Sequence, residues 1–136
     1  MLTNKLNEAI NILNSLIEIT NQDIENIKKA NHQEIFNNMT KKESLAKSFL
    51  NTKNDIDLIL RQRNKPIEEI FSSEEEKLFD EFKKRLIKFN TLHKKFSKLA
   101  ISVANFYNAL TQQIKEEKTI SYNNNSFKNS HLYLRA

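Results

Sequence analysis

The side chains that most often catalyse reactions or bind metals are few and scattered in this 136-residue chain. The three histidines, His32, His93 and His131, fall in different predicted elements, and none follows a glutamate by three residues, as the di-iron motif of helical bundles requires. The carboxylates of Glu74 to Glu76 are adjacent, but they open a predicted helix, where negative charge interacts favourably with the helix dipole. We therefore expect no metal site and no enzyme activity.

The composition excludes several other kinds of site. Glycine and cysteine are absent and there is one proline. Glycine-rich phosphate-binding loops, disulfides and thiolate metal sites therefore have no residues to form them, and we expect no cofactor. Polar residues at Asn4, Lys5, Asn7 and Glu8 interrupt any signal-peptide core, and no apolar run approaches the 18 or so residues of a membrane span. The sequence predicts a soluble, cytoplasmic protein with no membrane insertion.

The longest predicted element is a helix over about residues 73–117 with a heptad pattern. Two columns of apolar residues form its seam: Phe82, Phe89, Phe96, Val103 and Leu110 in one, and Leu78, Leu92, Leu99 and Phe106 in the other. A third column widens the stripe to the width of a bundle helix: Phe79, Leu86, His93, Ala100, Tyr107 and Ile114. His93 beside this seam is either a hydrogen-bonded packing residue or a catalytic base.

Two shorter helices precede it. Apolar periodicity predicts a first helix over about residues 2–29 and a second over about 32–63, and the short turn between them favours an antiparallel hairpin. Asn31 with Glu34, and Ser73 with Glu76, are spaced as capping boxes. Pro66 places a connector at 64–72, with one turn around Ile67 and Ile70. Three apolar connector residues are expected to cover the end of the bundle: Ile67, Ile70 and Phe71.

The predicted fold class is all-α. Residues 1–118 form an antiparallel three-helix bundle or coiled coil with a long C-terminal helix, and residues 119–136, rich in Asn and Ser, form a flexible tail.

The predicted helices differ in length. At about 1.5 Å per residue the first two extend roughly 42 and 48 Å, and the third roughly 67 Å. The hairpin therefore leaves the end of the third helix uncovered, and an exposed apolar patch of this kind marks an interaction site. The matching partner is an amphipathic helix, and the expected contact residues are Val103, Phe106, Tyr107, Leu110 and Ile114. Self-association, cover by the tail and a shorter third helix are the alternatives.

A basic run on the third helix is the other notable pattern. From Lys83 to Lys98 there are seven Lys or Arg residues, and no acidic residue follows Glu81 until Glu116. Such a run suits nucleic acid, an acidic partner or a solvated bundle face. Phe89 and Phe96 belong to the seam, where burial competes with stacking on bases. No groove-reading motif is present, so we expect no nucleic acid partner.

Three segments resemble the FlgN-type flagellar export chaperones. Residues 24–32 have the sequence IENIKKANH and 41–45 the sequence KKESL, similar to the polar helix junction and the lysine-glutamate-leucine heptad of that family. Residues 120–125, ISYNNN, resemble its tyrosine-bearing tail, with asparagines where the family usually has glycine. Asparagine also tolerates left-handed backbone conformations.

The resemblance implies a cytoplasmic chaperone that holds hook-filament junction proteins, also called hook-associated proteins, before type III export. In that family the C-terminal half binds the C-terminal helical segment of the cargo and a tail tyrosine contacts the export gate. By position, the cargo surface would include Val103, Phe106, Tyr107, Leu110 and Ile114, and the gate contact would be Tyr122. A monomer or weak dimer is expected; a structural coiled-coil subunit that self-associates, and a basic nucleic-acid-binding protein, are the alternative functions.

Overall fold

The computed structural model describes residues 1–119, with side chains as far as residue 115. It contains three α-helices in chain order: α1, Leu2–Lys28; α2, His32–Arg63; and α3, Ser73–Thr119. A one-turn 3₁₀ helix, Ile67–Glu69, lies in the connector between α2 and α3. The helices agree with the predicted ranges to within two residues at each end. The all-α, three-helix prediction is therefore confirmed.

The first two helices form an antiparallel hairpin. Side-chain contacts follow its register from the open end towards the turn: Lys5 with Asp55, Thr52 with Glu8, and Asn38 with Asp23. The three-residue link, 29–31, leaves little room for another arrangement of the helices.

The turn of this hairpin is a Schellman motif made without glycine. The amide of Ala30 donates to the carbonyl of Ile27 at 3.0 Å, and that of Asn31 donates to the carbonyl of Asn26 at 2.7 Å. Ala30 has φ of 58°, in the left-handed region that usually favours glycine. The predicted capping box of Asn31 with Glu34 is wrong: Asn31 makes no side-chain cap, and its amide is already bonded to Asn26.

A second cap begins α3, one residue earlier than predicted. Ser72, not Ser73, is the cap: its Oγ accepts from the amide of Glu75 at 3.2 Å, and its own amide donates to Glu75 Oε1 at 2.9 Å. Arg63, at the end of α2, donates to both carboxylate oxygens of Glu75 at 2.6 Å and to the carbonyl of Ile70 at 2.7 Å. This bidentate ion pair joins the two ends of the connector and selects Glu75 over Glu76 as the capping partner.

The chain divides into two compact units, Met1–Phe96 and Ser97–Ala136, and α3 contributes to both. In the first unit, the core gathers one face of α1 with side chains from α2 and α3: Leu2, Leu6, Ala9, Leu13, Ile56 and Phe82. Full burial of a leucine stabilises the fold by about 2 kcal/mol. Phe71 of the connector stacks on Phe79 at 4.7 Å and packs against this core. Ile67 is 87 % exposed, so its predicted place at the bundle end is wrong.

Candidate functional site

The second unit carries a stripe of apolar residues along α3. We call Val103, Phe106, Tyr107, Leu110 and Ile114 the apolar stripe. Their spacing of three or four residues puts them on one side of the helix. Val103 is half-buried and the other four are exposed, from 63 % for Phe106 to 41 % for Leu110. The residues predicted to contact a partner therefore lie together on one accessible helix face.

Exposure along the seam of α3 changes between the two units. In the first unit Phe82 is buried and Phe89 and Phe96 are half-buried. In the second unit Leu99 and Val103 are still half-buried, whereas Phe106 and all later stripe residues are exposed. One continuous heptad pattern thus includes core positions at its start and accessible positions at its end.

The segment around the apolar stripe has no charge. None of the residues from Leu99 to Ile114 is Asp, Glu, Lys or Arg. The positions between stripe residues carry amide or hydroxyl side chains or alanine. Asn105 and Ala109 are examples, and both are exposed. A partner would meet apolar contacts and neutral hydrogen-bonding groups, so the surface suits the apolar face of another helix.

Two aromatic rings form the widest part of the stripe. Phe106 and Tyr107 lie edge to face, with 5.9 Å between ring centroids and 73° between ring planes. Aromatic pairs of this geometry attract each other by about 1 kcal/mol beyond their burial. The arrangement can bind apolar side chains of a partner.

A buried polar cluster in the first unit was missed by sequence reasoning. Asp23 is 1 % exposed; its Oδ1 accepts from Asn38 at 3.0 Å and its Oδ2 pairs with Lys42 at 2.8 Å. The Lys42 ammonium also lies 4.2 Å from the ring centroid of Phe96. The signal that could have found this cluster is Lys42 itself, which occupies a seam position of α2 that a strict coiled coil would fill with an apolar residue. Because its groups satisfy one another, the cluster links the helices and offers no free reactive group.

The histidines do not form a site in the described part of the chain. His32 starts α2 and is exposed, and His93 is exposed beside the Phe89 ring, with 5.7 Å between centroids. His93 was interpreted from sequence as a hydrogen-bonded packing residue or a catalytic base, and in the structure it contacts Phe89 from an exposed position. Among the side chains of residues 1–115, no three His, Asp or Glu are placed to share a metal ion. His131 and Tyr122 lie outside the described residues.

Comparisons with known proteins found no relative of this chain. No protein-family model, curated protein or solved structure matches this chain. Among residues 1–119, no helix is both long enough and apolar enough to cross a membrane.

Proposed function

We propose that this protein is a non-enzymatic, cytoplasmic chaperone of flagellar type III export that binds the C-terminal helical segments of hook-filament junction proteins. The observation that carries the proposal is the exposed apolar stripe on an uncharged stretch of α3. The resemblance of residues 24–32, 41–45 and 120–125 to the FlgN-type family gives the class of cargo. The apolar stripe is the position at which that family would hold it.

The size of the stripe favours reversible binding. Its residues extend from Val103 to Ile114, about three turns or roughly 17 Å of helix. An unfolded cargo segment loses conformational entropy when it becomes helical on this surface, which offsets part of the gain from apolar burial. Moderate affinity suits a chaperone that must release its cargo.

A double substitution tests the surface. Phe106→Asp with Leu110→Asp places two charges at the centre of the apolar stripe, where a bound helix would exclude water. We expect cargo binding, measured by titration calorimetry with a C-terminal peptide of a hook-filament junction protein, to weaken at least about 100-fold, since two buried apolar contacts are replaced by charges.

The matched control is Asn105→Asp with Ala109→Asp. These exposed residues lie on the opposite side of α3, and the pair adds the same two negative charges with similar helix propensity. Circular dichroism should give the same helicity for both variants, and only the first should lose cargo. Unchanged binding by the first variant would reject the apolar stripe as the cargo surface.

A second copy of the chain is the competing occupant of the apolar stripe. Light scattering over a range of concentrations distinguishes the two, because a structural coiled-coil subunit would form a tight oligomer that Phe106→Asp with Leu110→Asp dissociates. A monomer or weak dimer that binds cargo supports the chaperone.

The tail tyrosine has a separate test. If Tyr122 contacts the export gate, Tyr122→Ala should bind cargo with unchanged affinity but reduce its secretion. Normal secretion by this variant would remove Tyr122 from the mechanism.

A further inference from the structure

The first unit carries a cluster of lysines that the proposed chaperone function does not use. Lys84, Lys88, Lys94 and Lys95 of α3 are all exposed, and we call them the lysine face. At 100° per residue they occupy about 120° of the helix circumference, on the side opposite the seam of Phe82, Phe89 and Phe96. Packing of the seam against the core therefore leaves the lysine face accessible to a partner.

The positive charge of this face is not neutralised by neighbouring residues. Lys83 and Arg85, on either side of Lys84, are paired with Asp80 and Glu81 on the preceding turn. None of the four lysines has a carboxylate within 4 Å among the described residues. From Phe82 to Phe96 α3 contains no Asp or Glu. Four positive charges are thus concentrated within about 17 Å of helix.

An exposed apolar side chain lies within the lysine face. Ile87 is 66 % exposed, and at 100° per residue it lies between Lys94 and Lys84 around the helix axis. Thr91, on the next turn, donates its hydroxyl to the Ile87 carbonyl at 3.0 Å, so this hydroxyl is turned towards the helix backbone. The face therefore combines cations with one exposed apolar group.

We infer that the lysine face binds the surface of an anionic lipid bilayer. Lysines beside a membrane are attracted to its negative headgroups, and an apolar residue among them can enter the boundary between headgroups and acyl chains. Nucleic acid would attract the same lysines, but it offers no apolar layer for Ile87, and single-strand binders present exposed aromatic rings that this face lacks. The association is peripheral and independent of the proposed cargo surface, which lies in the second unit.

Flotation with lipid vesicles tests this inference on the full-length protein. We expect the protein to bind vesicles of phosphatidylcholine with phosphatidylglycerol and not vesicles of phosphatidylcholine alone, and binding should weaken as salt is added because exposed charges are screened. Each lysine contributes roughly five-fold to the partition coefficient, so Lys88→Gln with Lys95→Gln should lower it about 25-fold. Ile87→Ser should lower it about ten-fold without changing the net charge.

Matched controls separate a local face from net charge. Lys41→Gln with Lys47→Gln removes two exposed lysines of α2 and gives the same net charge as the first variant, and Leu58→Ser replaces an exposed apolar residue of α2. Both controls should bind vesicles like the unaltered protein. All substituted residues are exposed, so circular dichroism should give unchanged helicity.

Three results would overturn the inference. The first is absence of binding to the anionic vesicles, and the second is an equal loss of binding in the control and lysine-face variants. The third is tighter binding to a DNA duplex or to an acidic protein than to vesicles at the same salt concentration, which would assign the face to that partner.

Discussion

Asp23 and Lys42 form an ion pair across the α1 and α2 hairpin, with 2.8 Å between Oδ2 and Nζ and with the carboxylate almost fully buried. Charges in such a position are costly when either partner is removed alone, because the other charge stays in a poorly solvated site. Lys42 is 17 % exposed, which allows water to relieve part of that cost.

This pair predicts a strong coupling between two substitutions. Asp23→Leu should lower the free energy of unfolding by about 3 kcal/mol, and Lys42→Met by a similar amount, whereas the double variant should lie within about 1 kcal/mol of the unaltered protein. Urea denaturation of the four proteins gives the coupling energy. Purely additive losses would show that the two side chains contribute independently.

A glycine at the hairpin turn is expected to stabilise the fold. Ala30 has a left-handed backbone conformation, which is unfavourable for a residue with a Cβ atom. Ala30→Gly should raise the free energy of unfolding by about 1 kcal/mol in thermal or urea denaturation. The control is Ala46→Gly at an exposed position inside α2, which should lower it by about 1 kcal/mol. Equal destabilisation by both would contradict the left-handed assignment of Ala30.

The two adjacent serines before α3 should differ in their contribution to stability. Ser72→Ala removes the oxygen that accepts the Glu75 amide and should lower the free energy of unfolding by about 1 kcal/mol. Ser73→Ala, one residue inside the helix, should change it by only a few tenths of a kcal/mol. If Ser73→Ala proved the more harmful, the cap would lie at the position expected from sequence.

Stability should fall in acid because of Glu75. Hydrogen bonds from Arg63 are the main reason that the pKa of Glu75 falls from its usual 4.5 to about 2. Burial raises this pKa, and hydrogen bonds from Ser72 lower it further. The pKa is lower in the folded protein, so this stabilisation is present above pH 4.5 and is lost as the pH falls from 4.5 towards 2.

Thermal unfolding across this pH range measures the effect. Glu75→Gln should lower the free energy of unfolding at neutral pH by about 2 kcal/mol and remove this part of the acid dependence. The control, Glu76→Gln, changes an exposed neighbouring carboxylate and should keep the dependence. An identical acid response in both variants would exclude Glu75 as its source.

Binding of cargo and binding of anionic vesicles should respond differently to salt. The apolar stripe lies in an uncharged segment, so its affinity for a helical peptide should change less than about two-fold between roughly 50 and 500 mM salt. Binding by the lysine face should fall steeply over the same range. Titration calorimetry for the peptide and flotation for the vesicles would show the contrast, and a steep salt dependence of peptide binding would point to contacts outside the apolar stripe.

Helix ranges and the seam of α3 could be predicted from sequence because both depend on long periodic patterns. The helix caps could not be predicted in the same way. Ser72 with Glu75 and Ser73 with Glu76 have the same spacing. The choice between them depends on Arg63, which the folded connector brings within 2.6 Å of Glu75. At Asn31 the predicted capping box does not form, because the Asn31 amide donates to the Asn26 carbonyl within the turn.

The position of the apolar stripe was predicted because heptad spacing and helix length are both readable in the sequence. Its exposure was also predicted, from the difference in helix length, whereas the burial of Asp23 depends on tertiary packing. Asp23 lies three residues after Thr20 and four before Ile27, on the seam side of α1, but its charge favours exposure when no partner is known. Only the hairpin register brings Asn38 and Lys42 close enough to satisfy it.

The distribution of tyrosines gives the protein an internal optical reporter. The chain has no tryptophan, and its three tyrosines, Tyr107, Tyr122 and Tyr133, all follow Phe96, while the first unit contains only phenylalanine as an aromatic fluorophore. Tyrosine fluorescence therefore reports on the second unit alone. Because Tyr107 belongs to the apolar stripe, its fluorescence would follow occupancy of that surface without any attached dye.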